Sequence, residues 1–228
     1  MTLRIAIISP LKAAAADLAR RQERYSQHAG PQTVVSVLNL EQGPAALNSS
    51  GDILSSAAAI YDAGAKLTPD DCDALLVDCV FDPAVDELHE LLGMPTFGPT
   101  RTTLPLINLV APNFSIIARS QRQCELLAEL VQREGYGNKL QSLRALDISY
   151  AEAKQVEIFN RVMLARLETA AVKDKARAIM FGSTTMALTN EMRLAAKERP
   201  MFMPGMVALR TIEQLWFDGL WPTQIEKG

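Results

Sequence analysis

Two short stretches of this sequence run through apolar residues and end in a small nucleophilic side chain. Ala74-Leu-Leu-Val-Asp-Cys79 closes on a thiol and Ala178-Ile-Met-Phe-Gly-Ser183 on a hydroxyl. Runs of that composition read as buried strands, and in open parallel sheets ligands bind outside the carboxyl ends of the strands. A cysteine at a strand end and just ahead of a helix would feel exposed N–H donors and the positive end of the helix dipole. Both lower a thiol pKa and favour thiolate. The same donors, with the Thr184 and Thr185 hydroxyls, could hold a carboxylate or an enolate. The chemistry implied is removal of a proton from an acidic carbon and its return to either face.

Other reactive side chains compete poorly for that role. The chain has only two histidines, His28 in a polar stretch beside Gly30-Pro31 and His89 on a solvated helix face. Neither offers a nucleophile the positioned partner that a Cys–His or Ser–His–Asp site needs. Cys124, Leu127 and Val131 share one face of a helix, so Cys124 reads as core packing. Three cysteines without finger-like spacing point neither to a metal site nor to a disulfide framework. Arg119, Ser120, Arg101 and Thr102 follow strand ends and could meet an anionic group.

The elements that must position these residues alternate as strands and helices, the pattern of parallel sheets covered by helices. Strands are expected over Leu3–Ser9, Thr33–Leu38, Ala74–Asp78, Pro95–Gly98, Phe114–Ala118, Leu140–Ile148, Ala178–Phe181 and Pro200–Met203. Helices are expected over Leu11–His28, Ile53–Ala63, Asp82–Leu92, Gln121–Glu134, Ala151–Ala171, Met186–Lys197 and Met206–Asp218. Asp82 and Pro83 read as the N-cap and first-turn proline of the third of these helices.

The two halves look alike. Each nucleophile is followed by a helix and then by a short strand opening on proline, Pro95-Thr-Phe-Gly-Pro99 in one half and Pro200-Met-Phe-Met-Pro204 in the other. Leu3-Arg-Ile-Ala-Ile-Ile8 and Asn113-Phe-Ser-Ile-Ile-Ala118 repeat at nearly the same spacing. The pattern is that of a duplication. The fold class expected is α/β, with two pseudo-symmetric Rossmann-like lobes and the active site in the cleft between them. Residues 1–100 with 205–228 would form the first lobe and residues 101–204 the second.

Composition narrows the function classes. Hydrophobic residues make up 48% and charged residues 21% of the 228, as in a globular protein with a real core. A formal net charge of -3 argues against a nucleic-acid partner. No apolar run reaches a membrane span, and Lys12, Asp17, Arg20 and Arg21 interrupt any leader-like segment, so a cytoplasmic location is expected. No Gly-x-Gly-x-x-Gly or Gly-x-x-x-x-Gly-Lys-Ser/Thr turn follows a strand, so no nucleotide cofactor is expected.

Asp78-Cys-Val-Phe-Asp-Pro83, followed by a helix and Pro95-Thr-Phe-Gly98, resembles the aspartate/glutamate/hydantoin racemase superfamily, nearest its hydantoin racemase branch. Glu41-Gln-Gly-Pro44 and the segment Ala178–Met186 are similar to that family's loop and second catalytic turn, and the resemblance spans essentially the whole chain. It implies a cofactor-independent enzyme, assembled as a homo-oligomer, acting on a small anionic or cyclic-amide substrate. Two cysteines would serve as opposed acid and base. The first matches Cys79; the second falls at Ser183, and serine is a far weaker acid than cysteine. Ser9-Pro-Leu-Lys12 stands where the family has Asn-Pro-Asn. The expected substrate-binding residues are Ser9, Pro10, Val80, Phe81, Arg119, Ser120, Thr184 and Thr185. Three readings stay open at this point. One is a racemase or epimerase with Cys79 and Ser183 as unlike acid and base. Another is a lyase or cis–trans isomerase using Cys79 alone, with Ser183 and Thr184 holding an oxyanion. The last is a binder of a small anion.

Overall fold

The computed structural model describes residues 2–149, 152 and 155–220. It contains two four-stranded parallel sheets flanked by helices. The first sheet is built from β1 (Leu3–Ile8), β2 (Thr33–Leu38), β3 (Ala74–Val77) and β4 (Thr96–Phe97) in the order β2-β1-β3-β4. The second uses β5 (Phe114–Ala118), β6 (Leu140–Ala145), β7 (Ile179–Phe181) and β8 (Met201–Phe202) in the order β6-β5-β7-β8. The central strands β3, β5 and β7 are buried at every residue, as expected where helices cover a parallel sheet.

The helices are α1 (Ala15–His28), α2 (Ser50–Gly64), α3 (Val85–Leu92), α4 (Pro99–Val110), α5 (Gln121–Arg133), α6 (Val156–Glu168), α7 (Asn190–Ala195) and α8 (Pro204–Phe217). None of the described helices is long and apolar enough to cross a membrane. The chain divides into two compact units. Residues Met1–Ala46, Gly51–Pro99 and Gly205–Gly228 make one, and Leu47–Ser50 with Thr100–Pro204 make the other. Residues 221–228 lie outside the described part. In the first unit the buried Glu213 of α8 accepts the Gly30 N–H at 2.6 Å, tying the late helix to the turn between α1 and β2. In the second, Arg101 of α4 pairs with Glu134 at 3.5 Å.

Three local expectations needed correction. The sequence reading passes over α4, whose buried positions Thr100, Thr103, Leu104 and Ile107 do follow a helical repeat. Two threonines on that face, and Pro105 inside the helix, mask the signal. The helix expected from Met186 shrinks to α7, which begins where the Thr189 Oγ1 accepts the Met192 N–H at 3.3 Å. The helix expected over Ala151–Ala171 has three positions, 151, 153 and 154, outside the described residues. Its described helical part is α6, which passes into one π-helical turn over Thr169–Lys173. Met163 and Leu167 of its stripe join the core of the second unit, whereas Val156 is exposed.

Beyond β3 the chain does not surface. Residues 78–85 are all buried, so their polar groups need partners inside the protein. The Asp78 N–H continues the ladder by donating to the Ile8 carbonyl at 2.9 Å. The Asp78 carboxylate is fully buried and receives the Arg21 guanidinium through Nη1 and the Tyr25 hydroxyl at 2.6 Å, both from α1. Burial first, then the neighbouring Asp78 charge, push the Tyr25 phenol well above its ordinary value, so it stays a donor. A carboxylate in this position is stable only while paired. Arg21→Ala, which removes the cation paired with that charge, is expected to destabilise the protein by about 3–5 kcal/mol. Tyr25→Phe, which removes one hydrogen bond, should cost about 1–3 kcal/mol. Urea denaturation of the two variants would measure both; equal, negligible losses would mean that these two partners do not hold the carboxylate in place.

Candidate active site

The two nucleophiles occupy the same place in their respective sheets. In the first, Ile8 pairs with Val77 and the Asp78 N–H donates to Ile8 O at 2.9 Å. In the second, Ile117 pairs with Phe181 and the Gly182 N–H donates to Ile117 O at 2.8 Å. One residue further on stand Cys79 and Ser183, each second past the end of the third strand of its unit. The preceding residues are handled in opposite ways. A Cβ on Gly182 would lie 2.9 Å from the Ala118 Cβ and 3.1 Å from its Cα, so glycine is needed where β5 and β7 converge. Asp78 instead carries a side chain, turned to α1 and neutralised there.

Neither nucleophile lies at a helix start, contrary to expectation. α3 begins only at Val85, because Asp82 and Ala84 both take left-handed backbone conformations, with φ of 49° and 59°, and turn the chain first. Asp82 is therefore no N-cap of that helix. Its buried carboxyl packs against Gly98, where a Cβ would come within 2.4 Å of Asp82 Cγ. Ser183 is likewise separated from α7 by the turn through Thr184 and Thr185. The helix-dipole argument for a thiolate at Cys79 thus loses its geometric basis.

Cys79 is buried, and burial pushes its thiol far above the ordinary range. A hydrogen bond from the Phe81 backbone to the sulfur, and the Arg21 charge, oppose that rise, while Asp82 and Asp78 add to it. The resting side chain is a neutral thiol. Val80 and Phe81, next in the turn, are buried beside it. Ser9 and Pro10 follow the neighbouring strand β1, but the buried Ser9 hydroxyl donates to Leu11 O at 3.0 Å and the Pro10 carbonyl accepts from Ser56 at 2.7 Å. Their polar groups thus serve the turn itself.

In the second unit, Arg119, Ser183 and Thr185 do come together. Arg119 Nη2 donates to Thr185 Oγ1 at 2.6 Å, and Thr185 Oγ1 lies 3.0 Å from Ser183 Oγ. The Thr185 N–H also points to Ser183 Oγ, at 3.3 Å. Thr184 between them is buried. Ser120, expected at the site, caps α5 by accepting the Gln123 N–H at 3.3 Å. Arg101 is engaged by Glu134, and Thr102 is half-buried beside it.

The remaining candidates have structural partners. His28 Nδ1 lies 2.8 Å from Arg24 O and His89 Nδ1 lies 3.1 Å from Met94 O. Cys124 is buried, its thiol pushed up to about 11 by burial, and Cys72 sits 3.8 Å from the Met94 sulfur. Among the described residues no three His, Cys, Asp or Glu side chains converge as a metal-binding set. Arg21, Tyr25 and Asp82 were missed as contributors by sequence reasoning. One signal was available: a charged Asp78 ending an otherwise apolar strand demands a buried partner.

The family model described as Asp/Glu/hydantoin racemase matches residues 5–211. A hydantoin racemase of Paenarthrobacter aurescens is 28% identical over 196 residues, covering 80% of this chain and 78% of its own. The allantoin racemase of Klebsiella pneumoniae superimposes with a TM-score of 0.87 at 20% identity, over 99% of this chain and 92% of that one. A maleate isomerase of Pseudomonas putida S16 gives a TM-score of 0.70 at 12% identity, over 95% of this chain and 94% of its own. By the family-model match over residues 5–211, and with its two four-stranded parallel sheets, the chain belongs to the Asp/Glu/hydantoin racemase family and is an enzyme of the isomerase type.

Proposed function

We propose that this enzyme moves a proton on an acidic carbon of a small carboxylate, amino-acid or hydantoin-like substrate without a cofactor, with Cys79 as the acid/base. The observation that carries this reading is the equivalence of Cys79 and Ser183, each second past the third strand of its sheet. Relatives named for hydantoin and allantoin make ring ureides the first substrates to try. In such rings a carbon beside a carbonyl carries a hydrogen that a general base can remove.

Racemisation needs protons handled on both faces of that carbon. Cys79 is the group for one; Ser183, or a water it holds, is the group for the other. Serine is too weak an acid to exchange that role freely with a thiol, so the two faces are served by unlike groups. A second reading is favoured by the protonation state of Cys79. A buried, neutral thiol is already a proton donor. It suits a lyase or cis–trans isomerase in which Cys79 alone handles the proton while Ser183 and Thr184 hold an oxyanion.

Incubation in D₂O with hydantoins, allantoin, amino acids and substituted malonates, followed by proton NMR, separates the two. Loss of the α-proton signal marks proton exchange, release of CO₂ marks the lyase, and no change with any of them would count against the assignment. Cys79→Ala should lower turnover by about 10²–10⁴-fold, the usual contribution of a positioned acid–base group. Ser183→Ala should be milder, and Ser183→Cys should speed exchange in both directions by supplying a second thiol. Full activity in Cys79→Ala would sink the mechanism.

The pH dependence follows from the buried thiol. If Cys79 must lose its proton before it acts as base, kcat/KM should keep rising with pH beyond the ordinary thiol value of about 8.5. A plateau below that value would show that the working base is some other group.

A further inference from the structure

We propose that Arg119 is a positioning residue that acts on the reaction through Thr185, setting Ser183 as a hydrogen-bond donor toward negative charge developing on a substrate oxygen. The proposal rests on the reading of Cys79 as the proton-transfer group, with Ser183 holding the developing oxyanion.

The direction of the first hydrogen bond follows from what its two groups can do. A guanidinium only donates, so Thr185 Oγ1 must accept from Arg119 Nη2 at 2.6 Å. Thr185 Oγ1 lies 3.0 Å from Ser183 Oγ, and we assign it the donor role in that bond. The Thr185 N–H, at 3.3 Å, is a second donor to the same oxygen. With both bonds directed at Ser183 Oγ, its own proton is left for a ligand. A hydroxyl that accepts from a cation is a better donor, and the polarisation passes along the chain from Arg119 to Thr185 to Ser183. A serine used in this way never has to lose its proton, so its weak acidity is no obstacle to this role. Because the guanidinium does not titrate in the working range, this arm contributes no pH dependence.

A double-mutant cycle on deuterium exchange of allantoin and benzylhydantoin tests the proposal. Arg119→Gln should lower kcat about tenfold with little change in KM, the loss of one charge-assisted bond. In a Ser183→Ala background the same substitution should have no further effect, since Arg119 would have nothing left to act through. Thr185→Val should reproduce the loss, and Thr185→Ser, which keeps the hydroxyl, should restore most of the activity. Should Arg119→Gln fail to fold, as judged by near-UV circular dichroism, the Thr185→Val and Thr185→Ser pair carries the test. Multiplying losses in Arg119→Gln/Ser183→Ala, or equal activity in the two Thr185 variants, would overturn the proposal while leaving the role of Cys79 intact. Undiminished exchange in Cys79→Ala would instead overturn the reading beneath it, as would absence of exchange of both compounds by the wild-type protein.

Discussion

The parallel ladder between the first and third strands of each sheet sets the frame for the candidate site. In a parallel pair the bonds are evenly spaced, so once Ile8 lies beside Val77 and Ile117 beside Phe181, the next N–H in each third strand has a fixed acceptor. Asp78 and Gly182 fill those positions. The residues that follow are therefore delivered to the same point of two sheets. A slip of one residue would turn either nucleophile toward the opposite face.

What stands at the last ladder position differs between the units, and the difference reaches the chemistry. Gly182 lets the backbone of β7 close onto Ala118. Asp78 brings a buried charge that Arg21 and Tyr25 of α1 must satisfy. The helix that covers the sheet is in this way also the support of the turn bearing Cys79. The carboxylate and the guanidinium act on the thiol with opposite sign, and burial outweighs both. Environment, not helix position, sets the protonation of Cys79.

The second unit places a cation one residue after β5 and links it through Thr185 to Ser183. The two units thus carry unlike chemistry on the same scaffold, one a thiol beside two carboxylates, the other a hydroxyl tied to a guanidinium. Like strand order in the two sheets does not carry like electrostatics at their strand ends, because those depend on a few side chains contributed by neighbouring elements.

The sequence by itself determined the class of fold, the bounds of β2 and β5, and the two strand ends bearing Cys79 and Ser183. These follow from apolar runs and local periodicity, which the chain carries residue by residue. It also carried the Asp78–Pro83 motif on which the family resemblance stood, and the family match bears that out. Only the tertiary structure decided where α3 and α7 begin, that α4 exists, and which side chains meet Asp78. Arg21 and Tyr25 lie more than fifty residues from Asp78 in sequence, and no local pattern couples them. The protonation of Cys79 belongs to the same class. A thiol pKa is set by solvent exclusion and by charges brought near through folding, and neither quantity is written at the position of the cysteine itself.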